Sequence, residues 1–344
     1  MVSSADTLCF VGAGALGQAF AGLIAAAGQM VTLIGTPSGV ARLLSAGCIR
    51  LRGVLVQDVP VAPAPAPPGT VGLTTDPGVL PPRSGVIFTT KGHQLPDAIA
   101  RLRSIWPSAD DAVSWVAGIQ NGLLKDELLA AAFGAGRVIG AVTILSAQRD
   151  PDGAVIITSR GMTYFGEFTG GCSPRVTAAV QFLKAAGIPA EAAEDIQSVL
   201  WSKACNAIGV FGVCVLTRSS ASGLMRNPDL VRAYHALIRE TAAVAAAYAV
   251  PIGDYAGFPI RGYLDKSDAE MVELATMRAT RFAPGEEGDG SLPSMLQDLR
   301  AGRPMEWDQV FGDMVRRAEK VGVPVPRIAL VRDLIAGLNR AMSP

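Results

Sequence analysis

Two patterns of apolar and polar positions divide the chain. In the first half, short continuous apolar runs at residues 8–11, 30–34, 85–90 and 112–117 fit buried strands, and stretches with apolar residues at helical spacing lie between them. The first run ends at Gly12, and Ala- and Leu-rich helical sequence then continues to Ala27, with Gly28 placed to cap it. Strand and helix in alternation predict a mostly parallel, doubly wound sheet. Residues 138–144 and 154–158 flank a Pro151-Asp152-Gly153 turn, and with 162–168 they read as an antiparallel extension of that sheet. A helix over 176–186 and a short stretch at 189–195 follow. Beyond it helical periodicity takes over and strands all but vanish. This places a boundary at 193/194, with an α/β domain over 1–193 and an all-α domain over 194–344.

The punctuation adds detail. Residues 60–69 (PVAPAPAPPG) are Pro-rich and read as an extended surface connector, and 284–290 (PGEEGDG) as a polar flexible segment that could serve as a lid. Helices are expected around 231–249, 269–281 and 328–342. Ser294-Met295-Leu296-Gln297 has the form of a capping box, with Ser294 as N-cap and Gln297 at N3. Past Pro304, Glu306 falls in the first turn of a helix, where an acid suits the dipole. Trp307, Val310, Phe311, Met314, Ala318 and Val321 form its apolar face.

The candidate chemistry starts at Gly12-Ala13-Gly14-Ala15-Leu16-Gly17, a GxGxxG run between a strand and a helix. The first glycine permits a sharp turn, the second lets backbone approach a pyrophosphate, and the third lets helix pack on strand. The helix start adds unpaired N–H groups and the positive end of a dipole. A Rossmann-type dinucleotide site follows, with residues 12–17 as its cradle. At the end of the second strand, Gly35-Thr36-Pro37-Ser38 lacks the acid that would bond the 2′-hydroxyl of NAD. The hydroxyls of Thr36 and Ser38, with Arg42, tilt the reading towards NADP(H). Lys91 and Asn121 stand at the carboxyl ends of two core strands, where doubly wound sheets bind ligands. Each also has an ordinary reading, as a solvated lysine and as part of an Asn-Gly turn. In the second half, Lys203 sits in an unusually apolar helix with Asn206 on the same face. Taken alone, Lys203 reads as a snorkelling side chain, Ser294 as a cap and Glu306 as a dipole partner.

Composition narrows the classes. The chain has 344 residues, 30 Lys plus Arg against 30 Asp plus Glu, and 49% hydrophobic residues. Its balanced charge gives no field for nucleic acid or an anionic membrane, which points to a small-molecule partner. Five scattered cysteines without a CxxC pair argue against a disulfide framework or a zinc site, and Cys9 and Cys205 read as buried small hydrophobes. His93 and His235 read as surface or packed residues. No run of 18 apolar residues and no signal-type start is visible, so a cytoplasmic setting is expected. The Ala-rich helix at 231–249 is compatible with a homodimer interface.

Taken together, GAGALGQ at the start, TKGHQ around Lys91, QNG at Asn121, WSK at Lys203 and SMLQDLRAGRPMEWD from Ser294 to Asp308 resemble the ketopantoate reductases (2-dehydropantoate 2-reductases). The resemblance covers nearly the whole chain, and its most specific part is the separation of Ser294 from Glu306. It implies a Rossmann-type doubly wound sheet followed by an all-α domain like the C-terminal domain of 6-phosphogluconate dehydrogenase, with the active site between them. It further implies NADPH-linked reduction of a 2-keto acid, ketopantoate giving pantoate on the route to pantothenate and coenzyme A. By the same resemblance, Lys203 is the catalytic lysine, Glu306 and Ser294 contact substrate, and Asn121 contributes to the site. The chain differs from the family's usual pattern in Thr36 where Arg is common, in Ala207 and Phe211 where Asn is common, and in Ser291. Asn206, from a neighbouring helical position, is the candidate to replace a missing Asn. The differences leave open another 2-keto acid as substrate, or a non-catalytic NADP(H)-binding regulator.

Overall fold

The computed structural model describes residues 8–80, 84–106, 113–279 and 292–342. The segment 284–290 and Ser291 therefore lie outside the described residues. The chain divides into two compact units, Met1–Gln120 with Lys125–Ile196, and Asn121–Leu124 with Gln197–Pro344.

The first unit runs β1 (Leu8–Val11), α1 (Ala15–Ala26), β2 (Val31–Ile34), α2 (Pro37–Ala46), β3 (Cys48–Gly53), β4 (Gln57–Pro63), β5 (Val71–Thr74), β6 (Ser84–Phe88), α3 (Leu95–Ile105), β7 (Val113–Gly118), α4 (Leu124–Phe133), β8 (Ile139–Thr143), β9 (Ser146–Arg149), β10 (Val155–Ser159), β11 (Thr163–Glu167), α5 (Pro174–Ala185) and β12 (Ala190–Ala192). Nine strands form one sheet in the order β7-β6-β1-β2-β5-β4-β3-β10-β9, parallel from β7 through β4. The strands β1, β2, β5 and β6 are buried along their whole length, as strands covered on both faces must be. Alternate residues serve opposite faces. Leu8 and Phe10 join Phe20 of α1 and Val180 of α5 in one apolar layer, whereas Cys9 and Val11 join Leu102 of α3 and Leu129 of α4 in the other.

Two expectations are corrected here. Residues 60–63 are not a surface connector but the end of β4, paired with β3 on one side and β5 on the other. The period-2 placement of Val59, which is fully buried, and Val61 outweighs the prolines. The segments expected to extend one sheet instead separate. Strand β10 pairs with β3 and β9 in the large sheet, whereas β8 and β11 pair with each other and with β12 in a second, three-stranded sheet. Periodicity marks strands but does not choose their partners.

The second unit is helical: α6 (Ile196–Thr217), α7 (Ala221–Arg226), α8 (Pro228–Ala247), a small hairpin of β13 (Asp254–Tyr255) and β14 (Phe258–Pro259), α9 (Ile260–Leu264), α10 (Asp268–Ala279), α11 (Ser294–Arg300), α12 (Asp313–Val321) and α13 (Pro326–Met342). Among the described residues α6 alone is long and apolar enough to cross a membrane, but most of it is buried inside the unit, as a core helix is. The first turns of α6 are pinned by hydroxyls. Ser202 Oγ accepts the Gly253 N–H at 2.9 Å, and Tyr255 donates to Ser198 Oγ at 2.7 Å. His235 is fully buried, with one ring nitrogen 2.8 Å from Asp268 Oδ1 and the other 3.0 Å from the Tyr263 carbonyl, which makes it structural, while His93 is exposed.

Candidate active site

The glycine turn forms in the first unit as its spacing requires. Gly12 has φ +123°, a backbone conformation that disfavours side chains, and its N–H donates to the Ile34 carbonyl at 2.9 Å. A Cβ on Gly17 would stand 2.0 Å from the Gly12 carbonyl oxygen, so only glycine lets α1 pack onto the turn. A Cβ on Gly14 would meet no protein atom within 4 Å. Here the glycine leaves a space beside the start of α1, the cradle a pyrophosphate needs. Gly14 is also the N-cap of α1 and offers no side chain to the first-turn N–H groups of Ala15, Leu16 and Gly17, which keeps them for an anion. The residues present therefore fit a dinucleotide. Thr89 adds a part that the glycine motif does not announce. Its hydroxyl donates to the Gly12 carbonyl at 2.8 Å and clamps the turn from the end of β6.

At the end of β2, Gly35 lies against Ala13, where a Cβ would come within 3.0 Å of the alanine methyl. The β2–α2 turn thus borders the cradle. Thr36 is the N-cap of α2, its hydroxyl accepting the Gly39 N–H at 3.2 Å and lying 3.4 Å from Ser38 Oγ. Lys91 is half-buried just past β6, and its own N–H donates to Gln94 Oε1 at 3.2 Å.

All five expected substrate-side residues, Asn121, Lys203, Asn206, Ser294 and Glu306, belong to the second unit. Along the middle of α6 nearly every residue is buried. The partly open positions from Leu200 to Val215 are Lys203, Asn206 and Val210, spaced i, i+3 and i+7 on one stripe. Ala207 and Phe211 are buried beside it, at 2% and 7% exposure. Burial pushes the Lys203 ammonium down to about 8, and burial wins because no charged partner opposes it among the described residues. Asn206 Oδ1 accepts a hydrogen bond from the Tyr234 hydroxyl at 3.1 Å.

Two local expectations change. Ser294 is not the N-cap of α11. Pro293 takes that place, and Gln297 turns its Nε2 to the Leu292 carbonyl at 2.7 Å instead of completing a capping box. Among the described residues the Ser294 hydroxyl makes no hydrogen bond, so it is not consumed by the helix. Glu306 lies directly before the helix rather than inside it, its carbonyl accepting the Val310 N–H at 3.2 Å, and its side chain is buried at 5% exposure. The next residues, Asp308–Gly312, form a π turn before α12, a feature that recurs at functional sites. Gly122, with φ +89°, rests on this turn, where a Cβ would stand 2.4 Å from the Gln309 carbonyl oxygen. The Asn121-Gly122 turn and the segment after Glu306 are thereby brought together.

Of the predicted apolar face of that helix, Val310, Phe311, Met314 and Ala318 are buried, whereas Trp307 and Val321 are only half-buried. Trp201 lies between Tyr248, at 5.4 Å between ring centroids, and the Arg317 guanidinium, 6.0 Å from its ring centre. Arg317 is held in turn by Asp313 at 2.8 Å. Val210 on the α6 stripe and Tyr234 beside Asn206 are neighbours of the candidate residues that the sequence alone does not single out. Counting i+3 and i+7 from Lys203 finds Val210, but nothing in the sequence pairs Tyr234 with Asn206.

Comparison with known proteins identifies the family. The family model described as ketopantoate reductase PanE/ApbA matches residues 8–170, and that of its C-terminal domain matches residues 195–339. The 2-dehydropantoate 2-reductase of Pyrococcus abyssi is 26% identical over 329 residues, covering 95% of this chain and 96% of that protein. The enzyme of the same name from Mycobacterium tuberculosis is 27% identical, with 98% of each chain covered. Among solved structures, a PanE/ApbA family ketopantoate reductase from Ralstonia eutropha superposes with a TM-score of 0.74 at 22% identity, covering 98% of this chain and all of that one. A D-mandelate dehydrogenase solved with NADH and anilino(oxo)acetate gives 0.76 at 19% identity, with 98% and 100% covered. The chain belongs to the ketopantoate reductase family.

Proposed function

We propose that the protein is an NADPH-dependent 2-dehydropantoate 2-reductase, reducing the 2-keto acid to pantoate for pantothenate and coenzyme A synthesis. The observation that carries this reading is the stripe along the middle of α6, where, between Leu200 and Val215, a lysine held at about 8 and an amide three residues on are the polar groups left partly open. A reduced nicotinamide, when bound, supplies the hydride. Hydride addition builds negative charge on the keto oxygen, and Lys203 Nζ polarises that oxygen and then gives it a proton. Such a general acid contributes about 10²–10⁴-fold, most effectively with a pKa near the working pH. Asn206 and the uncapped Ser294 hydroxyl offer hydrogen bonds to the substrate carboxylate. Glu306 orients the lysine or the nascent hydroxyl, and Asn121 borders the same reacting groups.

The preference for NADPH rests on Thr36, Ser38 and Arg42 in the absence of an acid after β2. A second reading of the substrate is favoured by one feature: Val210 leaves apolar surface on the stripe, and Ala207 and Phe211, buried beside it, add no polar group, which suits a larger branched or aromatic 2-keto acid. One experiment tests both. Initial rates of NADPH and NADH oxidation are measured with ketopantoate and a panel of branched and aromatic keto acids. Fast NADPH-preferring turnover of ketopantoate supports the first reading, and a much higher kcat/KM for another acid supports the second. Tight cofactor binding with no turnover on any of them would refute both in favour of a non-catalytic NADP(H)-binding regulator.

A further inference from the structure

We infer that Tyr234 is a positioning residue for substrate: it fixes the Asn206 carboxamide so that the amide N–H groups, rather than the carbonyl oxygen, are presented beside Lys203 to the carboxylate of a 2-keto acid. This role rests on the keto acid reading above. Tyr234 is fully buried in α8 and stands edge-on to Tyr263, with ring centroids 6.3 Å apart and planes at 73°. Tyr263 is held by Arg278, whose guanidinium donates to its hydroxyl and lies 5.1 Å from its ring centre. The ring of Tyr234 can lie along α6 because Gly209 has no side chain. A Cβ there would come within 2.5 Å of the ring and 3.0 Å of Ile238. From that seat the Tyr234 hydroxyl reaches Asn206 Oδ1, one turn before Gly209, at 3.1 Å.

The chemistry of this contact sets an orientation. Burial, reinforced by the neighbouring Tyr263, holds the Tyr234 hydroxyl protonated well above the ordinary tyrosine range, so it remains a donor. A donor on one side selects the carbonyl end of the carboxamide and turns the NH₂ end the other way. Among the described residues Asn206 Nδ2 makes no hydrogen bond, and Asn206 is half-buried on the stripe it shares with Lys203. The flipped amide would instead set an acceptor beside an incoming carboxylate, replacing an attraction with a repulsion. Lys203 and Asn206 thus form a pair of donors about 5–6 Å apart at Cβ. That suits the adjacent keto and carboxylate oxygens of a 2-keto acid.

The test is a double-mutant cycle read as KM and kcat for the best keto acid, with cofactor affinity and thermal midpoint measured on each variant. Tyr234→Phe keeps the ring and removes the donor, and KM should rise about tenfold with kcat within about threefold and cofactor affinity unchanged. Asn206→Ala should raise KM similarly, and adding Tyr234→Phe to it should have no further effect, since the two act as one unit. Asn206→Asp leaves the tyrosine its acceptor but offers substrate only oxygens, and should raise KM more than Asn206→Ala does. That variant checks, independently of how Tyr234→Phe folds, that the amide N–H groups face substrate. An unchanged KM in Tyr234→Phe, additive effects in the cycle, or Asn206→Asp binding as well as wild type would overturn the positioning role while leaving the reaction intact. A wild-type enzyme that turns over no 2-keto acid would overturn the reaction, and this role with it.

Discussion

Replacing Lys203 by methionine should make the protein more stable and nearly inactive. The lysine stem lies in an apolar helix, and burial lowers its ammonium from 10.5 to about 8. Each unit of such a shift corresponds to about 1.4 kcal/mol, so keeping the charge at neutral pH costs up to roughly 3 kcal/mol, and about 1–3 kcal/mol once partial exposure is discounted. Methionine has a similar length and no charge. The sign follows from proton linkage. Between about 8 and 10.5 the unfolded chain binds the proton that the native lysine has lost, so wild-type stability rises with pH across this window. Below about 8 the full penalty is present. Denaturant titrations at pH 7 should therefore place Lys203→Met above wild type by about 1–3 kcal/mol at unchanged m-value, with the advantage fading towards pH 10.5. Activity should fall by at least about 10²-fold, and the wild-type kcat/KM should decline above about pH 8. A variant less stable than wild type at pH 7, or an advantage that does not change with pH, would refute the argument that the lysine is held against its own desolvation.

The second and third glycines of the turn should separate cofactor binding from folding. Gly14→Ala, whose Cβ meets no protein atom, should leave the thermal midpoint within a degree or two but weaken cofactor affinity by about tenfold or more, whereas Gly17→Ala, with its Cβ 2.0 Å from the Gly12 carbonyl oxygen, should lower both. Thr36→Ala should cost about 1 kcal/mol by removing the cap of α2, while Thr36→Asp keeps a cap and should shift the NADPH/NADH ratio of kcat/KM towards NADH by about tenfold; an unmoved ratio would mean that the 2′-phosphate is not read at this turn. Gly122→Ala should destabilise by about 1–3 kcal/mol and reduce kcat, because its φ and the Gln309 carbonyl leave no room for a methyl group. Retention of wild-type kcat there would separate the Asn121 turn from catalysis.

Much of this was legible in particular residues. The run from Leu8 to Gly17 carries its own instructions, since apolar continuity, glycine spacing and helix composition are local and agree. The buried face of Val310, Phe311, Met314 and Ala318 was likewise readable from its period. Pro60 and Pro63 misled because proline content suggests an unpaired connector; both are exposed, but the buried Val59 beside them anchors a strand that pairs on both sides. Ser294 misled in the opposite way: its spacing to Gln297 fits a capping box, but Pro293 ends the preceding backbone in the N-cap place and frees the serine hydroxyl.

The sequence by itself determined the kinds of element and the cradle for a dinucleotide, because each depends on residues within a few positions of one another, whereas Lys203 stood out as the candidate acid only through the resemblance that runs along the whole chain. Tertiary structure decided the rest. It set which strands β8, β10 and β11 pair with and placed Gly122 on the π turn after Glu306. On the buried helix it left Lys203, Asn206 and Val210 partly open and joined Tyr234 to Asn206 across Gly209. Such pairings rest on burial and close approach between segments far apart in the chain. Local patterns record which face is apolar, but not which partner covers it or how far desolvation moves a proton.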